Sequence, residues 1–178
     1  EVLYAGWDKL NEILGAALPI SNSSKANIEI REQAKAQGGV VVEVDHSRGS
    51  LTSSNAVAEQ LNRGSTSVAL ESVIFNGAAA NADRMANRVE KATSGQGSVY
   101  QSSHKNDPVG TMIGGNSATG GNTAKFPESH GAYTGYLPPE KLNNGERNPV
   151  RISVDEIWGV GKVSTPILVS PTINTREK

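Results

Sequence analysis

A run of four valines within five residues, followed by a turn and a helical pattern, constrains this chain more than any other stretch. Residues 40–44 are Val-Val-Val-Glu-Val. Such a run is β-branched and too short for a helix, so it predicts a buried strand. Gly49 follows closely, and the apolar positions of residues 51–61 have helical spacing. The pattern therefore predicts a strand that turns sharply into a helix, with residues 46–48 at the turn.

A strand that turns sharply into a helix is the setting that a serine nucleophile requires. Such a turn lifts the Ser47 hydroxyl clear of the sheet and directs the backbone N–H groups of the new helix, beginning with Arg48, toward a developing oxyanion. The usual form of the turn is Gly-x-Ser-x-Gly. Here Asp45 replaces the first glycine, and Gly49 retains the second. The plainer alternative is that Ser47 only caps the helix.

The remaining patterns predict an α/β fold. Helices are expected over residues 2–14, from Ser23 or Ser24 through Gln37, and over 78–92, and strands over 68–75, 98–104, 150–154 and 163–169. Strands that alternate with helices are typical of βαβ units, which build a parallel sheet. We therefore expect a single domain over residues 1–178.

Residues 105–149 differ from the rest of the chain because they are dense in Gly, Asn, Pro and Ser. A loop of this length is uncommon inside a compact domain, and ordered loops of this kind tend to be functional. We expect a loop-rich insertion that borders the site. Its glycine pairs act either as a lid or as flexible linkers.

Composition excludes several classes of function. The net charge of −1 over 178 residues does not indicate a nucleic-acid partner. The absence of cysteine excludes disulfides, a cysteine nucleophile and thiolate zinc sites. No apolar run approaches the roughly 18 residues that span a bilayer. We expect no metal and no cofactor, since the histidines lack zinc-site spacing and residues 110–115 lack the Lys-Ser/Thr of a phosphate loop.

Two later residues supply the partners that a serine nucleophile needs. A serine hydrolase uses one histidine as a base and one carboxylate to orient it. Asp107 follows the third predicted strand, and His130 lies in the loop-rich region. The plainer alternatives are that Asp107 stabilises an Asx turn before Pro108 and that His130 is an ordinary loop histidine.

These residues resemble the lipase-type branch of the α/β-hydrolases over roughly residues 30–136. The order Ser47, Asp107, His130 is that family's order, and a His-Ser-x-Gly turn, an Asn-Asp-Pro-Val turn and a His with a nearby Tyr also occur there. The resemblance implies a partial α/β-hydrolase-like parallel sheet flanked by helices. It also implies an acyl-ester hydrolase, active on an ester or lipid substrate, with Ser47 as nucleophile, His130 as general base and Asp107 as its orienter.

The neighbours of Ser47 are candidates for further roles in such a site. Arg48 is expected to provide an oxyanion-hole N–H. Its side chain is either a solvated charge or a group that binds an anionic head group, and we expect it to contact substrate together with His46. In complete hydrolases, strands before the turn carry a loop that supplies the second oxyanion N–H, whereas the residues before this turn predict two helices. The alternative function is therefore a non-catalytic delivery or binding module with a degenerate hydrolase fold.

The chain as a whole resembles hydrolase-like segments near the C-terminal ends of large bacterial haemagglutinin-type exoproteins. These include contact-dependent growth-inhibition and other polymorphic toxin systems, and residues 5–10, 45–51 and 114–116 carry the resemblance. It implies a secreted or cell-surface toxin module that is delivered into a neighbouring bacterium and neutralised by a cognate immunity protein. The start at Glu1 rather than Met is expected of a piece of a longer protein.

Overall fold

The structure, a computed structural model, describes residues 2–119, 125–131, 133 and 167–170. The helices are α1 (Val2–Ile13), α2 (Asn22–Ala36), α3 (Gly49–Asn62), α4 (Ala82–Ala92) and α5 (Glu128–Gly131), with a short π-helix at Val109–Ile113. The strands are β1 (Val41–His46), β2 (Leu70–Asn76), β3 (Ser98–Ser102) and β4 (Ile167–Val169). The strand predicted at 150–154 and much of the predicted 105–149 insertion lie outside the described residues.

The four strands form one sheet in the order β1-β2-β3-β4. The first three strands are parallel, and β4 runs antiparallel to β3. This arrangement confirms the predicted α/β class with a mostly parallel sheet flanked by helices. His46, Asn76 and Ser102 are register partners across the three parallel strands. The carboxyl ends of these strands therefore meet at one edge, which is where α/β proteins commonly place a site.

The main core lies between the sheet and two helices. α3 packs on β1, α4 packs on β3, and α1 and α2 pack against α3. Because helices and strands each bury one apolar face, this layering encloses a single large cluster. Its largest fully buried side chains are Leu51, Val57, Val73, Phe75, Met85, Val89 and Val99.

β1 lies at the edge of the described sheet, not at its centre. The prediction that the valine run forms a buried strand is wrong for this part of the chain, since β1 pairs only with β2 and Val40 and Val44 are 61% and 47% exposed. β-branched residues favour extended backbone whether or not both faces are covered. The run therefore predicted the strand correctly but not its position.

Two helices begin where a side chain satisfies a free backbone N–H. α2 follows Ser21, whose Oγ accepts the N–H of Ser24, and not Ser23 or Ser24 as predicted. α4 follows Asn81, which caps it in the same way, and so it begins at Ala82 rather than at residue 78. The alanine-rich segment before Asn81 is a loop that reaches the functional site.

Helix α1 turns its apolar stripe outward. Leu3, Trp7, Leu10 and Ile13 are exposed, whereas Asp8, Asn11 and Glu12 are buried. Ion pairs account for the buried charge of Glu12, which contacts Lys9 at 3.1 Å and Arg84 at 2.6 Å. Among the described residues, no helix has the length and apolar character needed to cross a membrane.

Candidate active site

Ser47 occupies the turn between β1 and α3 in a strained backbone conformation. Its φ of +52° lies in the left-handed region, which residues other than glycine rarely adopt. Hydrogen bonds on both sides hold it there: the Ser47 N–H donates to the Asn76 carbonyl at 3.2 Å, and the Ser47 carbonyl accepts from the Ala79 N–H at 3.1 Å and from the Ser50 hydroxyl at 2.6 Å. The N-cap of α3 is Arg48, with no side-chain capping bond. The Ser47 hydroxyl is therefore not a helix cap.

The Ser47 hydroxyl contacts His130, and His130 contacts Asp107. The Ser47 Oγ lies 2.9 Å from His130 Nε2, and His130 Nδ1 lies 3.0 Å from each carboxylate oxygen of Asp107. An ionised carboxylate only accepts, so Nδ1 carries the proton and Nε2 accepts the Ser47 O–H. The structure thus brings the three predicted residues into one chain of hydrogen bonds.

Asp107 is fully buried after β3 and is held by several donors. Besides His130, the Val109 N–H donates to Oδ1 at 2.9 Å and the Tyr133 hydroxyl donates to Oδ2 at 2.7 Å. Burial raises the pKa of Asp107, but these donors outweigh it and leave the pKa below its usual value. The carboxyl is therefore ionised near neutral pH. The Val109 bond is also the Asx turn that was the plainer alternative, so Asp107 forms that turn and contacts His130 as well.

Tyr133 packs closely beside this carboxylate. Its ring stacks on His104 with centroids 4.0 Å apart, and its hydroxyl also accepts the His104 N–H at 2.6 Å. Gly77 lies against it with a φ of +54°, and a Cβ at Gly77 would lie 2.6 Å from both Asp107 Oδ2 and Tyr133 Cε2. Only glycine fits there. The sequence indicated Tyr133 merely as a neighbour of His130, and nothing in it indicated Gly77.

His46 contacts the backbone of His130. Its Nε2 lies 2.8 Å from the His130 carbonyl, and the two rings have centroids 4.6 Å apart. A carbonyl only accepts, so His46 Nε2 donates. Loss of solvation in this contact lowers the pKa of His46. His46 therefore supports the position of His130, and its predicted contact with substrate remains a prediction.

Arg48 presents two groups next to Ser47. Its backbone N–H, which makes no hydrogen bond within the described part of the chain, is the candidate oxyanion donor. Its side chain is 40% exposed, and Nε lies 3.4 Å from Asp8 Oδ2 of α1. Burial raises the pKa of Asp8, and the charge of Arg48 opposes that rise. Sequence reasoning missed Asp8, because a pairing so distant along the chain leaves no local pattern.

In the described ranges, no cluster of three or more histidine and acidic side chains is placed to hold a metal ion. Comparisons of the chain with models of known families, with curated proteins and with solved structures find no match. The fold and site define an α/β protein with a hydrogen-bonded Ser-His-Asp chain at the carboxyl edge of a parallel sheet. What this site does is therefore argued from its geometry.

Proposed function

We propose that this chain is a serine acyl-ester hydrolase, with Ser47 as nucleophile, His130 as general base and Asp107 as the residue that orients the base. One observation carries the proposal: Ser47, in a left-handed conformation at a strand-to-helix turn, hydrogen bonds to a histidine that a buried carboxylate holds. A capping serine or a surface histidine requires none of these features. Convergence of all of them on one hydroxyl is what activated serines use.

The geometry supports a two-step acyl transfer. Ser47 Oγ attacks the carbonyl carbon of an ester while His130 Nε2 takes its proton, and the carbonyl oxygen becomes an oxyanion near the Arg48 N–H. The C–O bond to the alcohol then breaks, and His130 returns the proton to the departing alcohol. In the second step a water molecule, deprotonated by His130, attacks the acyl-serine. The bond from the acyl carbon to Ser47 Oγ then breaks, His130 returns the proton to Oγ, and the carboxylic acid leaves.

The oxyanion site governs the expected rate. Complete α/β-hydrolases draw a second N–H from a loop on the far side of the nucleophile strand, and β1 has no partner strand on that side within the described residues. Loss of one oxyanion donor typically costs about 10²–10³ in rate. We therefore expect Ser47 to react readily with an activated reagent, and turnover of ordinary esters to be slow.

A fluorophosphonate probe tests the nucleophile. The wild-type protein is expected to be labelled once, and Ser47→Ala and His130→Ala to lose the label while their circular dichroism spectra remain unchanged. The matched control is Ser23→Ala, which alters an exposed serine on α2 and should label normally. Equal labelling of wild type and Ser47→Ala would remove Ser47 as nucleophile. A wild-type protein without any label would favour the non-catalytic binding or delivery module.

On the exoprotein resemblance, we further propose that the hydrolase is a secreted toxin module with a cognate immunity protein. Production inside bacteria is then expected to slow growth, and the folded Ser47→Ala and His130→Ala variants to be harmless. Ser23→Ala is again the control, since it leaves the site intact. Equal toxicity of all the variants would separate any harm from the hydrolase site.

A further inference from the structure

The hydroxyl of Tyr133 has one proton and two polar neighbours. It accepts the His104 N–H at 2.6 Å, so its own proton is left for Asp107 Oδ2 at 2.7 Å. The direction of this hydrogen bond is therefore fixed by its neighbours. A charge-assisted bond of this kind is stronger than one between neutral groups.

Tyr133 is held rigidly in the position from which it donates. Its ring is buried, lies parallel to His104 within 10°, and fills the space that the missing side chain of Gly77 leaves open. A buried ring packed on two sides cannot turn away without opening a cavity. The hydroxyl thus stays beside the carboxylate whether or not substrate is bound.

The two oxygens of Asp107 are held by different donors, and Tyr133 holds one of them. The Val109 N–H fixes Oδ1 of Asp107, and Tyr133 fixes Oδ2. A carboxylate held at both oxygens cannot rotate about its last torsion, so both oxygens keep facing His130 Nδ1 at 3.0 Å. Without the hydroxyl, Oδ2 keeps only its contact with His130, while the Val109 N–H still holds Oδ1. The carboxylate is then fixed at one oxygen instead of two and can rotate about its last torsion.

We propose that Tyr133 is a positioning residue of the hydrolase, which holds the Asp107 carboxylate against His130 and keeps it ionised. This inference rests on the proposed function for its effect on the reaction, but the bond to Asp107 is measurable without any activity. The titratable groups that face Asp107 in the described residues are His130 from α5, Tyr133 and, further away, His46 from β1, while His104 faces Tyr133.

The test is a ¹³C titration of the Asp107 carboxyl in three proteins: wild type, Tyr133→Phe and Tyr4→Phe. Tyr133→Phe keeps the ring and removes only the hydroxyl, and Tyr4→Phe is the control because Tyr4 is exposed on α1. Loss of a donor to the carboxylate should raise the Asp107 midpoint by about one pH unit. The control should match wild type. An Asp107 midpoint unchanged in a folded Tyr133→Phe protein overturns the proposal.

Labelling of Ser47 provides the second measurement. The saturating labelling rate of Tyr133→Phe should fall about five- to tenfold, with the half-saturating probe concentration unchanged, because a carboxylate that has lost one of its donors orients His130 less well. A merely structural role would lower the rate while leaving the Asp107 midpoint unchanged, and that result also counts against the proposal. If Tyr133→Phe fails to fold, 3-fluorotyrosine, a stronger donor, should shift the Asp107 midpoint of the wild-type sequence downward, and no shift refutes the proposal. If Ser47 proves unreactive, the proposed function fails, while the titration still decides the role of Tyr133.

Discussion

Replacement of Asp45 by asparagine should stabilise the protein, and increasingly so as the pH rises. Asp45 stands where the usual turn has glycine, and its Oδ2 is enclosed with no hydrogen-bond partner among the described residues. Burial, followed by the nearby charge of Glu43, raises the pKa of Asp45 from 3.8 to about 8. A carboxyl that holds its proton in the folded state but loses it in the unfolded state contributes stability that disappears between these two pH values.

The magnitude follows from linkage. One extra proton bound by the folded state lowers the free energy of unfolding by about 1.4 kcal/mol for each pH unit. Between pH 5 and 8 the free energy of unfolding of the wild-type protein should therefore fall by on the order of 4 kcal/mol relative to that of Asp45→Asn, because asparagine does not titrate.

Urea unfolding at pH 5, 6, 7 and 8 measures this difference. The free energy of unfolding of Asp45→Asn, relative to that of the wild-type protein, should rise at each step and become constant above pH 8. The control is Asp83→Asn, an exposed carboxyl in the first turn of α4, which should run parallel to wild type at every pH in this range. A constant difference between Asp45→Asn and wild type across the series would refute the argument, since it would mean that Asp45 is ionised in the folded protein.

Three further substitutions test other features of the structure. Ser47→Gly should be more stable than Ser47→Ala by about 1 kcal/mol in free energy of unfolding, because only glycine adopts a φ of +52° without strain. Equal stabilities in urea would contradict the strained turn. Gly77→Ala should cost at least about 2 kcal/mol more than Gly64→Ala, since both have positive φ but only the Gly77 Cβ meets other atoms; thermal unfolding that gives the two variants similar stability would contradict this packing. Arg31→Met should cost about 3–5 kcal/mol by leaving Glu43 without the cation that contacts it at 2.7 Å; a loss in urea unfolding well below this range would contradict the role of the ion pair.

Local patterns in the sequence were sufficient to determine the element types and the α/β class. The valine run formed β1, the spacing of residues 51–61 formed α3, and the turn between them contains Ser47. These features depend on backbone preference and on the burial of one face, and both act over a few residues. The order of serine, acid and histidine was also visible, because it can be read directly along the chain.

The tertiary structure alone decided where these elements lie and how the site is held. The position of β1 at the edge of the described sheet depends on pairing with β2, and the outward stripe of α1 depends on ion pairs with another helix. Likewise, the bond of Tyr133 to Asp107 and the close approach at Gly77 join segments far apart in sequence. Such contacts leave no periodic trace in a single chain. They arise only when packing brings the segments together, so the sequence indicated the three residues that meet at the site but not the groups that position them.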